Sequence, residues 1–90
     1  MSSGPVGETC TEADVTIRYW ASARAAAGCE RESFPGHFVG DVLKAAAAAH
    51  TGLGVVLEVS TILLDGRAVT SSEVLSQGAT LEVLPPFAGG

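Results

Sequence analysis

Thr80-Leu81-Glu82-Val83-Leu84-Pro85-Pro86-Phe87-Ala88-Gly89-Gly90 closes the chain. Thr80 to Leu84 alternates, with Leu81 and Val83 on one face and Thr80, Glu82 and Leu84 on the other, the period-two pattern of a half-buried strand. Two consecutive prolines fix φ and supply no N–H, so the ladder stops there and residues 85–90 are expected to project as an extended tail. Gly89 and Gly90 at its tip offer a slim, unbranched carboxylate that a partner's backbone can close around, because glycine has no Cβ. At about 7% average usage, a terminal glycine pair arises by chance in roughly one chain in 200, so its meaning depends on the body that carries it.

Outward from that strand, the same alternation recurs near the other end. From Asp14, Val15, Ile17, Tyr19 and Ala21 oppose Thr16, Arg18, Trp20 and Ser22, a β-branched and aromatic pattern that predicts the first strand. Ala23 to Ala27 reads as a short helical turn stopped by Gly28, and Glu30 to Phe34 as a second strand closed by a Pro35-Gly36 turn. Val39 to Thr51 is the one convincing helix. Val39, Val42, Leu43, Ala46 and His50 share a face, Asp41 favours the positive end of the dipole, and Gly52 suits a left-handed cap, although His37 and Phe38 are poor N-caps. Leu53 to Val59 fits either a helical turn or a strand entry. Ser60 to Leu64 predicts a strand, with an Asp65-Gly66 hairpin leading into Arg67 to Val69. Thr70 and Glu73 stand at capping-box spacing, which predicts a helical turn over Ser71 to Leu75, and Gln77-Gly78 turns the chain into the last strand. The expected class is α+β: a mixed sheet packed on one main helix, with a flexible leader at 1–13, a domain at 14–84 and the tail at 85–90.

Ninety residues suffice for one small domain. Ten acidic against five basic residues leave a net charge of −5, and Arg18, Arg24, Arg31, Lys44 and Arg67 are scattered singly, so nucleic acid and anionic membranes are excluded as partners. Cys10 and Cys29 form no CxxC and have no histidine at metal-ligand spacing. They read as independent thiols, with no metal site expected. His37 and His50 read as surface imidazoles, His50 favourably placed near a helix C-terminus. No signal peptide or membrane span is evident, which places the protein in the cytoplasm.

This order of elements, the Asp65-Gly66 hairpin and the strand running into Leu-Pro-Pro-Phe-Ala-Gly-Gly resemble the ubiquitin-like β-grasp sulfur carriers of the MoaD/ThiS family. The run Val15-Thr16-Ile17-Arg18-Tyr19-Trp20-Ala21-Ser22-Ala23-Arg24 is similar to the family's first strand and following loop, and the Pro-Pro-x-x-Gly-Gly ending resembles MoaD, the small subunit of molybdopterin synthase, more than ThiS. The resemblance implies a carrier that is not catalytic alone and binds no cofactor of its own. An activating enzyme of the MoeB/ThiF type would adenylate the Gly90 carboxylate with ATP, and a sulfur source would convert it to a thiocarboxylate. A MoaE-like large subunit would then receive the tail, in a heterotetramer, and pass the sulfur to a pterin precursor in molybdenum cofactor synthesis. The same tail chemistry serves two alternatives: a ThiS-type carrier for thiamine or amino-acid synthesis, and a ubiquitin-like modifier. On the physical side, Trp20 and Leu84 fall on the outer sheet face, where exposed apolar residues make natural hot spots. Trp20, Leu84 and Phe87 are therefore expected to form a docking patch, with Pro85, Pro86 and Ala88 completing the partner-binding tail ahead of Gly89 and Gly90.

Overall fold

The computed structural model describes residues 13–86. The elements are β1 (Ala13–Tyr19), α1 (Ala21–Ala27), β2 (Arg31–Gly36), α2 (Val39–Ala49), α3 (Leu53–Val59), β3 (Thr61–Leu64), β4 (Arg67–Ala68) and β5 (Thr80–Leu84). They form a five-stranded mixed sheet in the order β2-β1-β5-β3-β4. The first and last strands lie side by side and parallel at its centre, with Ile17 opposite Leu81 and Tyr19 opposite Val83, while the other pairings are antiparallel. A parallel pair cannot be closed by a tight turn, so the long segment between β1 and β5 must cross over, and it carries the helices with it.

The expected inner faces are the observed ones. Val15, Ile17, Leu81 and Val83 are fully buried and Tyr19 nearly so, packed in one cluster with Val39, Val42 and Ala46 of α2 and Leu53 of α3. At the β3–β4 hairpin, Asp65 and Gly66 both have positive φ (49° and 91°), the type I′ geometry that an Asp-Gly pair favours.

Several elements differ from the sequence expectation, each for a tertiary reason. Besides the main helix α2, the helical turn expected at Ala23 to Ala27 is α1, beginning at Ala21, and the open choice at Leu53 to Val59 falls to helix α3. Alternation stops at Trp20, which is extended and whose carbonyl accepts the Ala23 and Arg24 N–H groups, so Ala21 and Ser22 open α1 instead of prolonging the strand. Pro35 and Gly36 are not a turn: they pair with Asp14 and Ala13 at the end of β2. An edge strand tolerates proline because one side of its ladder has no partner. Gly36 is required there for space, since a Cβ would stand 2.6 Å from Val42 Cγ2. Helix α2 ends at Ala49, with His50 as its extended cap, and Gly52 adopts its left-handed conformation as the residue that opens α3.

No helix forms over Ser71 to Leu75. The carbonyls of Ser71 and Glu73 accept the Gly40 and Val39 N–H groups, and the Leu75 N–H donates to His37. The first turn of a helix has unpaired donors. Here a turn closed by the Glu73 N–H on the Thr70 carbonyl leads into a segment that satisfies two of them, and the Asp41 carboxylate accepts the Phe38 N–H as well. The weak N-cap foreseen from the sequence is thus repaired from a distance.

Candidate functional site

Strand β5 is hydrogen-bonded on both sides and ends at Leu84, opposite Thr61 of β3. Beyond the last register pair on the other side, the Trp20 N–H donates to the Val83 carbonyl at 3.3 Å. Trp20 and Leu84 therefore stand close to each other where the first and last strands end. Trp20 is 38% exposed, with the Arg18 guanidinium 5.0 Å from its ring centroid. Arg18 also faces Glu82 across the parallel ladder at 3.8 Å, so its charge is shared between that carboxylate and the Trp20 ring on the outer face. Leu84 is half-buried, Pro85 is buried and Pro86 is exposed. Pro85, expected in the projecting tail, is instead buried. Phe87, Ala88, Gly89 and Gly90 lie outside the described residues.

A polar cluster that the sequence did not disclose sits on the helix-facing side of the sheet, at its β2 edge. Glu32 lies opposite Ile17 in the antiparallel pair and so shares the helix-facing side of the sheet. Its Oε2 accepts the Tyr19 hydroxyl at 2.6 Å and lies 2.5 Å from His50 Nε2 at the end of α2. The Tyr19 and His50 rings meet edge to face, and the donor atoms of Cys29, Glu32 and His50 all lie within 4.8 Å of one another. His50 is at a helix C-terminus as expected, but it is hydrogen-bonded to Glu32 and partly buried instead of free on the surface. The signal that could have found the group is the alternation of β2, which puts Glu32 and Phe34 on one face. What it lacked was the long-range register.

Burial raises the Tyr19 hydroxyl well above its ordinary value of 10.0, and the hydrogen bond to Glu32 raises it further. Burial also pushes the Cys29 thiol above 9.0, reinforced by Glu32 and opposed by the Arg31 N–H. A thiol held protonated is a poor nucleophile, which favours Cys29 as a packed turn residue over a sulfur-carrying one. Both groups hold their protons more tightly folded than unfolded, so their contribution to stability is complete below these ordinary values and lost as pH rises through the folded ones. Tyr19→Phe is expected to cost about 1.5–3 kcal/mol at neutral pH, the worth of a hydrogen bond to a charged group, and to make the alkaline decline in stability shallower. Urea denaturation at neutral pH and above pH 10 measures both, and an unchanged alkaline slope would contradict the assignment.

A mixed sheet whose C-terminal strand runs parallel to its first, wrapped over a helix and opening at Trp20 and Leu84, defines the ubiquitin-like β-grasp class. The sequence profile of the ThiS family matches residues 17–90, and the chain belongs to that family. Among solved structures it is similar to small archaeal modifier protein 1 of Methanosarcina acetivorans, with a TM-score of 0.81 at 23% identity over 90% of this chain and 100% of that one. The same modifier from Haloferax volcanii aligns with a TM-score of 0.76 and 25% identity over 86% and 99%. A Pyrococcus furiosus protein assigned as molybdopterin converting factor, subunit 1, aligns with 0.74 and 25% over 82% and 98%. No curated protein matches the chain. Family and fold together define a small carrier of the ThiS/MoaD type or a ubiquitin-like modifier. Among the described residues no helix is long and apolar enough to cross a membrane.

Proposed function

We propose that this chain is a sulfur carrier whose Gly90 carboxylate is adenylated, converted to a thiocarboxylate and delivered to a molybdopterin synthase large subunit. The observation that carries this reading is the family match, which runs through Gly89 and Gly90. The likeness to the Pyrococcus furiosus protein and the Pro85-Pro86 lead into the glycines favour the molybdopterin acceptor.

The chemistry explains the residues. A carboxylate resists attack because oxide is a poor leaving group. When its oxygen attacks the α-phosphorus of ATP and expels pyrophosphate, the resulting acyl-adenylate can lose AMP to an incoming sulfide. The product is anionic and nucleophilic at sulfur, suited to transfer into a pterin precursor. Glycine at positions 89 and 90 lets the terminal carbonyl pass into a narrow active site. The body supplies the grip: Trp20 and Leu84 stand at the strand exit, and Phe87 follows within three residues. Incubation with a MoeB/ThiF-type activating enzyme, ATP and a sulfur source is expected to raise the intact mass by the difference between sulfur and oxygen at the C-terminus. Molybdopterin formation on addition of a MoaE-like subunit and precursor is the result that identifies the acceptor. Activity with a thiamine-pathway acceptor alone would transfer the assignment to the ThiS-type role.

The likeness to archaeal modifier proteins favours one second reading, in which Gly90 forms an isopeptide bond with lysine side chains. Lysine-linked conjugates that vanish when Gly90 is deleted, without sulfur transfer to any acceptor, would select it.

Trp20→Ala is expected to weaken binding to the activating enzyme and to the large subunit by about 2 kcal/mol, the scale of an aromatic anchor, while leaving the melting temperature nearly unchanged. Calorimetric titration with each partner measures this, and equal affinities would remove Trp20 from the interface.

A further inference from the structure

We propose that Cys29, Glu32 and His50 form a divalent metal site, best matched to Zn²⁺, on the helix-facing side of the sheet at its β2 edge. The proposal is independent of the sulfur-carrier reading.

Three separate elements bring the donors together. Cys29 follows Gly28, whose left-handed conformation (φ 76°) ends α1 and swings the chain toward β2. Glu32 is held on the helix-facing side of β2, and His50 is the extended cap of α2. Sulfur, imidazole nitrogen and carboxylate oxygen within 4.8 Å make the mixed donor set of a borderline ion. Tetrahedral zinc places such donors about 3.3–3.6 Å apart, from metal–ligand lengths of about 2.0–2.3 Å. The donors, no more than 4.8 Å apart, therefore need to close by at most about 1.5 Å to reach that spacing.

The surroundings favour a cation. Among the described residues Glu32 is paired with no lysine or arginine, and the chain carries a net charge of −5. Tyr19 supplies the outer support: its hydroxyl holds Glu32 Oε2, so that Oε1 can turn to the ion while the carboxylate stays oriented. The Glu32 and His50 side chains are 24% and 21% exposed, which gives an ion an entry path and leaves a fourth position to water. Three protein ligands and one open position make an exchangeable site, not a closed structural one. Binding would tie the end of α2 and the α1–β2 turn to the edge strand.

The test is titration of the reduced full chain with Co²⁺, followed by displacement with Zn²⁺. Ligation by Cys29 is expected to produce a near-ultraviolet thiolate charge-transfer band that Cys29→Ser abolishes and Cys10→Ser retains. Tyr19→Phe is expected to weaken binding by about 10–100-fold, as loss of an outer-shell partner does. A measurement on the unaltered protein guards against misfolded variants: in the imidazole NMR spectrum, Zn²⁺ is expected to shift the His50 signals and leave those of His37 in place. Absence of the band, a band that follows Cys10, or His37 shifting while His50 stays would each overturn the proposal.

Discussion

Removing Gly89 and Gly90 is expected to leave a protein that unfolds at the same urea concentration as the full chain yet gains no sulfur. The first half follows from where the core lies. Val15, Ile17, Leu81 and Val83 form one buried cluster with Val39, Val42, Ala46 and Leu53, all within residues 13–86. The second half follows from the chemistry proposed for the terminal carboxylate. With both glycines gone, the terminal carboxylate belongs to Ala88, which carries a Cβ and sits two residues nearer the body. Such a terminus cannot reach as far, or lie as flat, as a glycine pair. Intact-mass measurement after incubation with activating enzyme, ATP and sulfur source decides the matter: undiminished sulfur incorporation would refute the carrier proposal. A fall in urea midpoint would instead show that the tail contributes to the fold.

Leu81→Ala should do the reverse, weakening the body while sparing the tail. Leu81 is fully buried in a central strand, opposite Ile17 on one side and Leu64 on the other. Leucine-to-alanine changes at such sites cost about 2–5 kcal/mol, and a position pinned between two strands has little freedom to collapse into the void, which places the expected loss near the upper end. A domain of this length has roughly 5–13 kcal/mol of total stability, so one substitution removes a large share of it. Urea denaturation of Leu81→Ala beside Leu84→Ala provides the comparison. Leu84 is only half-buried and should cost distinctly less stability while weakening partner binding. Equal losses for the two would mean that the sheet faces are wrongly assigned.

The legible parts of the fold were those set by local pattern. Alternation in Val15-Ile17-Tyr19 and Leu81-Val83 identified both central strands and their buried faces, and Asp65-Gly66 identified the hairpin. The failures share one cause. Thr70 to Leu75 has the local signature of a helix start, yet its backbone is spent on the donors of α2. Pro35-Gly36 has the local signature of a turn, yet an edge position lets it remain in a strand. In both places a partner distant in sequence outweighs a propensity worth a fraction of a kilocalorie per residue.

The candidate site divides in the same way. Trp20 and Leu84 could be placed on the outer face because side-chain direction in a strand is a matter of parity. Arg18 over the Trp20 ring and the burial of Pro85 could not, since both depend on how neighbouring strands are set against each other.

The sequence by itself determined both central strands, their inward faces, the hairpin and the family resemblance carried by the terminal glycines, because each rests on residues within a few positions of one another. Only the tertiary structure decided that β1 and β5 run side by side, that residues 71–75 cap α2, and that Cys29, Glu32, His50 and Tyr19 converge. Those are outcomes of register and packing between segments far apart in the chain, where the energy of contact, not local preference, selects the arrangement.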